Sequence, residues 1–225
     1  MTTTSANPEH VHYNTRDLLL QAMLSHAAFD GWSRKSFELA QADADVEPGL
    51  AHLACPKGEL DLIAHWSMRL DEQAESALLG LDLPSMKIRD KVTAGVLARL
   101  EAIEPNEEAA RRARARLLLP DAGHEASRLV WATADMIWRT LGDPSTDFNY
   151  YSKRTILSGV YASTLSVWLN ESDPEKPHAR AFLARRIQNV MDFEKTKAQV
   201  RQFTDKLPSP AGLLGRLRYG WGPRA

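Results

Sequence analysis

Apolar residues recur at three- and four-residue spacing along almost all of this 225-residue chain, and no stretch alternates long enough to read as a strand. That period commits the chain to helices whose apolar stripes pack on one another. Thr15 predicts the cap of a helix to about Phe29, with Leu19, Met23 and Ala27 along one side; residues 1–13 read as a disordered N-terminus. Gly31 ends that helix, Ser33 caps a short one to about Ala42, and another runs from Pro48 to Ala54. A long helix from Lys57 to about Leu79 carries Leu60, Ile63, Trp66 and Leu70. Pro84 and Ser85 open the next, to about Ile103, with Ile88, Val92, Val96 and Leu100 along it. An Ala- and Arg-rich helix runs to Leu118, and further helices are expected near 124–141, 147–170 and 175–204. The fold class is all-α: a head over 14–56, a bundle over 57–207 and a tail over 208–225.

Composition narrows the function classes. A net charge of −1 supplies no global attraction to nucleic acid or membrane. The single Cys55 excludes an intrachain disulfide. The N-terminal residues show neither the pattern of a secretory signal nor that of a mitochondrial presequence, which points to a bacterial cytoplasmic protein. No H-E-x-x-H, G-x-S-x-G, P-loop or dinucleotide fingerprint occurs, so no enzyme, metal or cofactor is expected. His65 follows Asp61 by four residues and reads as a local hydrogen bond; Asp71, Glu72 and Glu75 read as a solvated acidic face. Glu107 and Glu108 pair in the same way with Arg111 and Arg112 on a helix surface.

Two helices are apolar around most of their circumference. Leu157, Tyr161, Leu165 and Trp168 form one stripe and Ile156, Val160 and Val167 another; the preceding helix carries Val130, Ile137 and Leu141 with Trp131 and Trp138. Such helices are buried on several sides. A central place in the bundle, a lipid tunnel or a homodimer interface would each account for them. Between them lies Gly142-Asp143-Pro144-Ser145-Thr146-Asp147-Phe148-Asn149-Tyr150-Tyr151-Ser152-Lys153-Arg154. Gly142 suits a left-handed helix end and Pro144 stops continuation. Asp147 is placed to cap the next helix, and Asp147, Tyr150, Tyr151 and Arg154 share one side of it. Tyrosines beside an arginine suit either a protein interface or a locally packed helix start.

The run GDPSTDFNYYSKRTILSGVYAST resembles the signature of the ubiquinone-biosynthesis lipid-binding accessory family, the ninth Coq protein and its α-proteobacterial relatives. Phe29-Asp30-Gly31-Trp32-Ser33, Leu117-Leu118-Leu119-Pro120 and the segment from Arg180 to Lys197 match in the expected order. The resemblance implies a non-enzymatic protein with a fold similar to TetR-type regulators, binding an isoprenoid quinone or prenylated precursor and presenting it to a quinone hydroxylase at the inner membrane. It implies a lipid tunnel among Trp131, Ile137, Trp138, Leu157, Val160, Tyr161, Leu165 and Trp168, and a partner patch of Asp147, Tyr150, Tyr151 and Arg154. Animal members carry tryptophan at the position of Tyr150.

The alternative is a TetR-like ligand-responsive regulator, since the three short helices before Lys57 have the spacing of a DNA-binding head. Residues 33–60 nevertheless hold three cations against five anions, and Val46–Ala54 holds no Lys or Arg. A duplex would be repelled. From Lys195 onward seven cations oppose one anion. There Leu213, Leu214, Leu217 and Trp221 share a helical face flanked by Arg216 and Arg218, the layout of an amphipathic helix on an anionic membrane surface, although Gly212, Gly215 and Gly220 also suit a disordered tail.

Overall fold

The structure is a computed structural model that describes residues 8–204, and the side chains of residues 12–192 other than that of Asp147. Among these residues there is no strand. The helices are α1 (Pro8–Asp30), α2 (Arg34–Asp43), α3 (Pro48–Ala54), α4 (Glu59–Leu79), α5 (Ile88–Glu101), α6 (Glu107–Leu117), α7 (Gly123–Thr140), α8 (Asp147–Asn170) and α9 (Pro177–Thr204). The chain divides into two compact units after Ala184. In the second, α9 continues to Thr204, with Gln188 donating to Asp192 at 2.8 Å one turn on.

Local chemistry sets most boundaries. The Ser33 hydroxyl accepts from the Ser36 N–H at 3.1 Å, and the Glu47 carboxylate accepts from that of Leu50 at 2.9 Å, starting α2 and α3. Two starts differ from the sequence expectation. α1 begins at Pro8, where a proline costs nothing because first-turn N–H groups have no partner; Thr15 is buried inside the helix. Pro84 and Ser85 form a short 3₁₀ turn, so α5 starts at Ile88, which is exposed rather than on the packed stripe.

Leu19, Met23 and Ala27 of α1 are fully buried, as are Val96 and Leu100 of α5. The head is fixed to the bundle by the Gly-Trp turn. Trp32 stacks on Trp66 of α4 with ring centres 5.6 Å apart, and its indole N–H donates to the Ala109 carbonyl of α6 at 2.9 Å. Arg16 of α1 donates to the Ala54 carbonyl at 2.7 Å, closing α3 onto α1. No described helix is long and apolar enough to cross a membrane.

α5 crosses α7 at Gly95. A Cβ there would stand 2.7 Å from Cγ2 of Ile137, whose branched side chain has little rotameric freedom. Gly95→Ala is therefore expected to cost about 1–3 kcal/mol through overpacking, seen as a lower Tm; a variant that melts with the wild type would show that the crossing yields.

Candidate functional site

Five helices enclose a cavity of about 510 Å³. α4 lines it with Ile63, Trp66, Ser67 and Leu70, and α6 with Ala110, Ala113, Arg114 and Leu117, each set on one helical face. α7 contributes Ala126, Leu129, Val130, Trp131 and Thr133. α8 contributes Thr155, Ser158, Tyr161, Ala162, Leu165 and Leu169; Arg99 of α5 and Ile103 just after it complete the lining. Small alanines on α6 leave room that larger side chains would fill.

The walls are mainly apolar, with one polar cluster centred on Arg99. Arg99 donates Nε–H to Asp71 at 2.5 Å and Nη2–H to the Ser67 hydroxyl at 3.1 Å. Thr133 donates to the same Asp71 oxygen at 2.8 Å. The Arg99 guanidinium lies 5.7 Å from the centre of the Tyr161 ring. Burial pushes the Asp71 carboxyl above the ordinary carboxylate range, against the pull of Arg99 and Thr133. Burial likewise raises the Tyr161 hydroxyl, opposed by Arg99 and a hydrogen bond with Thr133, so the phenol stays protonated at neutral pH. Asp71 is thus no solvated surface group. It shares the stripe of Ala74 and Leu78, both buried, and a charge in register with an apolar stripe was the signal available. His65, too, is not held by Asp61; its Nε2 meets Asp17 of α1 at 2.8 Å, while Asp61 accepts from the Lys57 N–H at 2.7 Å.

Of the residues expected to line a tunnel, Trp131, Tyr161 and Leu165 face this cavity. The other five are buried but lie outside its lining. Ile137 packs at the α5 crossing, and Trp138 donates to the Lys153 carbonyl at 3.2 Å under the Lys153 ammonium, 5.1 Å from its ring. Trp168 is flanked by Lys176 and Arg180, 5.8 and 5.4 Å from the ring. Leu157 and Val160 are buried on α8 away from the cavity-lining set. The face of α8 that carries Thr155, Ser158, Ala162 and Leu165 was legible only as part of an all-round apolar helix.

The hinge is an ion-pair lock between α7 and α8. Gly142 takes φ +71°, which turns the chain out of α7. α8 starts at Asp147 with Thr146 in the cap position, so Asp147 is the first helical residue rather than the cap. Arg154 is 2% exposed. It donates Nε–H to Asp135 at 2.5 Å, lies 3.5 Å from Asp143, and covers the Tyr150 ring with its guanidinium carbon 3.4 Å from the ring centre. The Tyr150 hydroxyl donates to Asp135 at 3.0 Å, which pushes its own pKa up. Lys153 donates to Asp143 at 2.7 Å. Burial alone would raise both carboxyls, but the bonds from Arg154 and Tyr150 hold Asp135 below its ordinary value, and those from Lys153 and Ser145 hold Asp143 there. Arg154 is therefore not displayed as an anchor: its charge is spent inside. Phe148 and Tyr151 are exposed aromatic members, 75% and 62%, with Tyr151 tilted against Trp131 at 6.2 Å.

Leu213, Leu214, Arg216, Leu217, Arg218 and Trp221 lie outside the described residues. On α3, Pro48, Gly49, His52 and Leu53 are exposed, giving that surface no cation. Cys55 is buried, which pushes its thiol to about 11 and leaves little reactive thiolate. Among the described residues no group of three or more His, Cys, Asp or Glu could hold a metal ion.

The sequence profile of COQ9 matches residues 123–194, from the start of α7 through the hinge and α8 into α9. The chain is 30% identical to the ubiquinone biosynthesis protein COQ9-A, mitochondrial, of Xenopus laevis, over 95% of this chain and 70% of that protein. The chain belongs to the COQ9 family. The bovine ubiquinone biosynthesis protein COQ9, mitochondrial, is 28% identical over 88% of this chain, and the human one 26% over 88%. The chain spans 63% of the length of each of those two COQ9 relatives. A TetR transcriptional regulator from Nitrosomonas europaea shares the fold, with a TM-score of 0.60 at 16% identity over 78% of this chain and 97% of the regulator. This COQ9 family member is thus all-α and TetR-like.

Proposed function

We propose that this protein acts in ubiquinone biosynthesis as a non-enzymatic carrier, holding a prenylated aromatic intermediate in the α4–α8 cavity and presenting it to a quinone hydroxylase at an anionic membrane surface. One observation carries the reading: in a COQ9 family member, a mainly apolar cavity of about 510 Å³ includes a small polar cluster. That volume lies within the roughly 300–1,000 Å³ of small-molecule sites. The hydroxylase would dock against Phe148 and Tyr151, whose rings are exposed where α8 begins. The basic C-terminal segment, with Leu213, Leu214, Leu217 and Trp221 beside Arg216 and Arg218, would supply the membrane contact.

Native mass spectrometry of the protein purified from membranes of its own host tests this. The expected result is a retained adduct with the mass of a prenylated ring precursor. Recovery of the protein with no adduct, together with no uptake from vesicles loaded with ubiquinone precursors, would sink the reading.

A further inference from the structure

The corner where α4 turns into α5 is apolar where a connection is ordinarily polar. Between Leu79 and Ile88 the chain places Leu79, Leu81, Leu83, Met86 and Ile88. Leu79, Leu81 and Ile88 are 65%, 45% and 50% exposed, and Leu83 and Met86 are half-buried. None of them lines the cavity described above. α4 and α5 pack along each other and the chain turns back between them, so these side chains stand at the tip of a helical hairpin. Exposed apolar residues scattered singly call for no explanation, but a contiguous set marks an interaction surface.

Two further properties say what the tip meets. Its backbone donors are bonded from within: Gly80 N–H to the Ser76 carbonyl at 3.2 Å, Leu81 to Leu78 at 3.0 Å, Leu83 to Leu81 at 2.8 Å, Ser85 to Asp82 at 3.2 Å and Met86 to Leu83 at 3.1 Å. A turn closed in this way enters a water-poor layer without carrying those donors unpaired. Lys87 and Lys91 then stand one turn apart where α5 begins, and among the described residues they form no ion pair. Arginines elsewhere on the surface do pair along their own helices, as Arg34 does with Glu38 and Arg112 with Glu108. Residues 79–91 hold three cations (Lys87, Arg89, Lys91) against Asp82 and Asp90, a net +1 in a chain of net −1. Lysine stems lie along apolar surface and keep their ammonium groups in the polar layer. A stable protein interface takes roughly 800 Å² from each partner, more than a hairpin tip offers; a bilayer interface needs only apolar side chains to bury and cations for its phosphates.

We infer that the α4–α5 corner is a membrane contact of the folded bundle: Leu79, Leu81 and Ile88 enter the interface of an anionic bilayer, with Lys87 and Lys91 among its headgroups. This shares with the function proposed above only the bilayer as partner; the surface is a different one from the basic C-terminal segment. It also orients the bundle. Thr140 at the end of α7 donates to Glu75 near the end of α4 at 3.3 Å, so the hinge that follows α7 lies at the membrane-facing end.

The test places the environment-sensitive fluorophore nitrobenzoxadiazole on full-length Leu81→Cys and, as the control, on Leu53→Cys, whose site is exposed on α3 beyond the other end of α4. Cys55 is buried with its thiol pushed to about 11, so the new cysteine takes the label. With vesicles of phosphatidylcholine and phosphatidylglycerol, emission from the Leu81 site is expected to rise and shift to the blue while that from the Leu53 site stays unchanged. Leu81→Ser combined with Ile88→Ser should keep the wild-type melting temperature and weaken co-sedimentation about tenfold. A silent Leu81 label on a chain that still co-sediments would overturn the inference and leave the C-terminal contact standing. Equal responses at both sites would overturn the orientation. A Leu81 response to a quinone hydroxylase without vesicles would make the corner a protein-docking surface instead. Failure of the wild-type chain to co-sediment would strike the membrane reading as a whole.

Discussion

Arg154→Ala is expected to destabilise the protein by about 3–5 kcal/mol, the usual cost of removing one partner from a buried ion pair, and to lower Tm on the order of 10 °C for a domain of this size. The side chain is 2% exposed and answers two carboxylates, Asp135 at 2.5 Å and Asp143 at 3.5 Å. Its loss also uncovers the Tyr150 ring on which it lies. Tyr151→Ala is the control: its ring is 62% exposed, so the cost should stay within about 1 kcal/mol. Circular dichroism melting of the two variants decides the matter, and equal melting temperatures would refute the lock. Acid gives a second readout. Asp135 is held below its unfolded value, so its contribution is complete above the unfolded carboxyl value of about 4 and is lost as pH falls through the lower folded value. Arg154→Ala should flatten that acid limb. A pull-down with a quinone hydroxylase then tests the proposed docking through Tyr151 alone, since a weaker capture by a half-unfolded Arg154 variant would say nothing of contact.

The contrast between those neighbouring residues shows where sequence pattern stops. Helical spacing grouped Tyr150, Tyr151 and Arg154; it could not say that Arg154 turns inward while Tyr151 stays exposed. The direction follows from Asp135 and Asp143 on and after α7, 19 and 11 residues before Arg154, because a buried guanidinium demands carboxylates within reach. Local signals fared better. Ser33, Pro48 and Gly142 each act on their own turn, so α2, α3 and the end of α7 were legible to within a residue or two. Pro84 and Ser85 carry the same kind of signal but resolve as a 3₁₀ turn, since the following Met86 and Lys87 are extended. The cavity was legible in kind but not in membership. Periodicity marks a helix that is apolar all round; only packing decides that Leu165 faces a void while Leu157 and Val160 face neighbouring side chains.

Arg99→Met should cost a comparable amount, about 3–5 kcal/mol, and the reason lies 28 residues away in sequence. Asp71 would be left buried with Thr133 as its remaining donor among the bonds described above. Because its carboxyl is already pushed upward by burial, loss of Arg99 should push it further up and favour its protonated form over an orphan charge. The damage should therefore grow as pH rises, since folding must then hold a proton that the unfolded chain releases. The paired change Arg99→Met with Asp71→Leu removes both charges and fills the same space, so it should recover most of the lost stability. Thermal melts of the single and double variants at pH 5.5 and 8 make the comparison. A single variant as stable as the wild type at both values would mean that water already compensates Asp71.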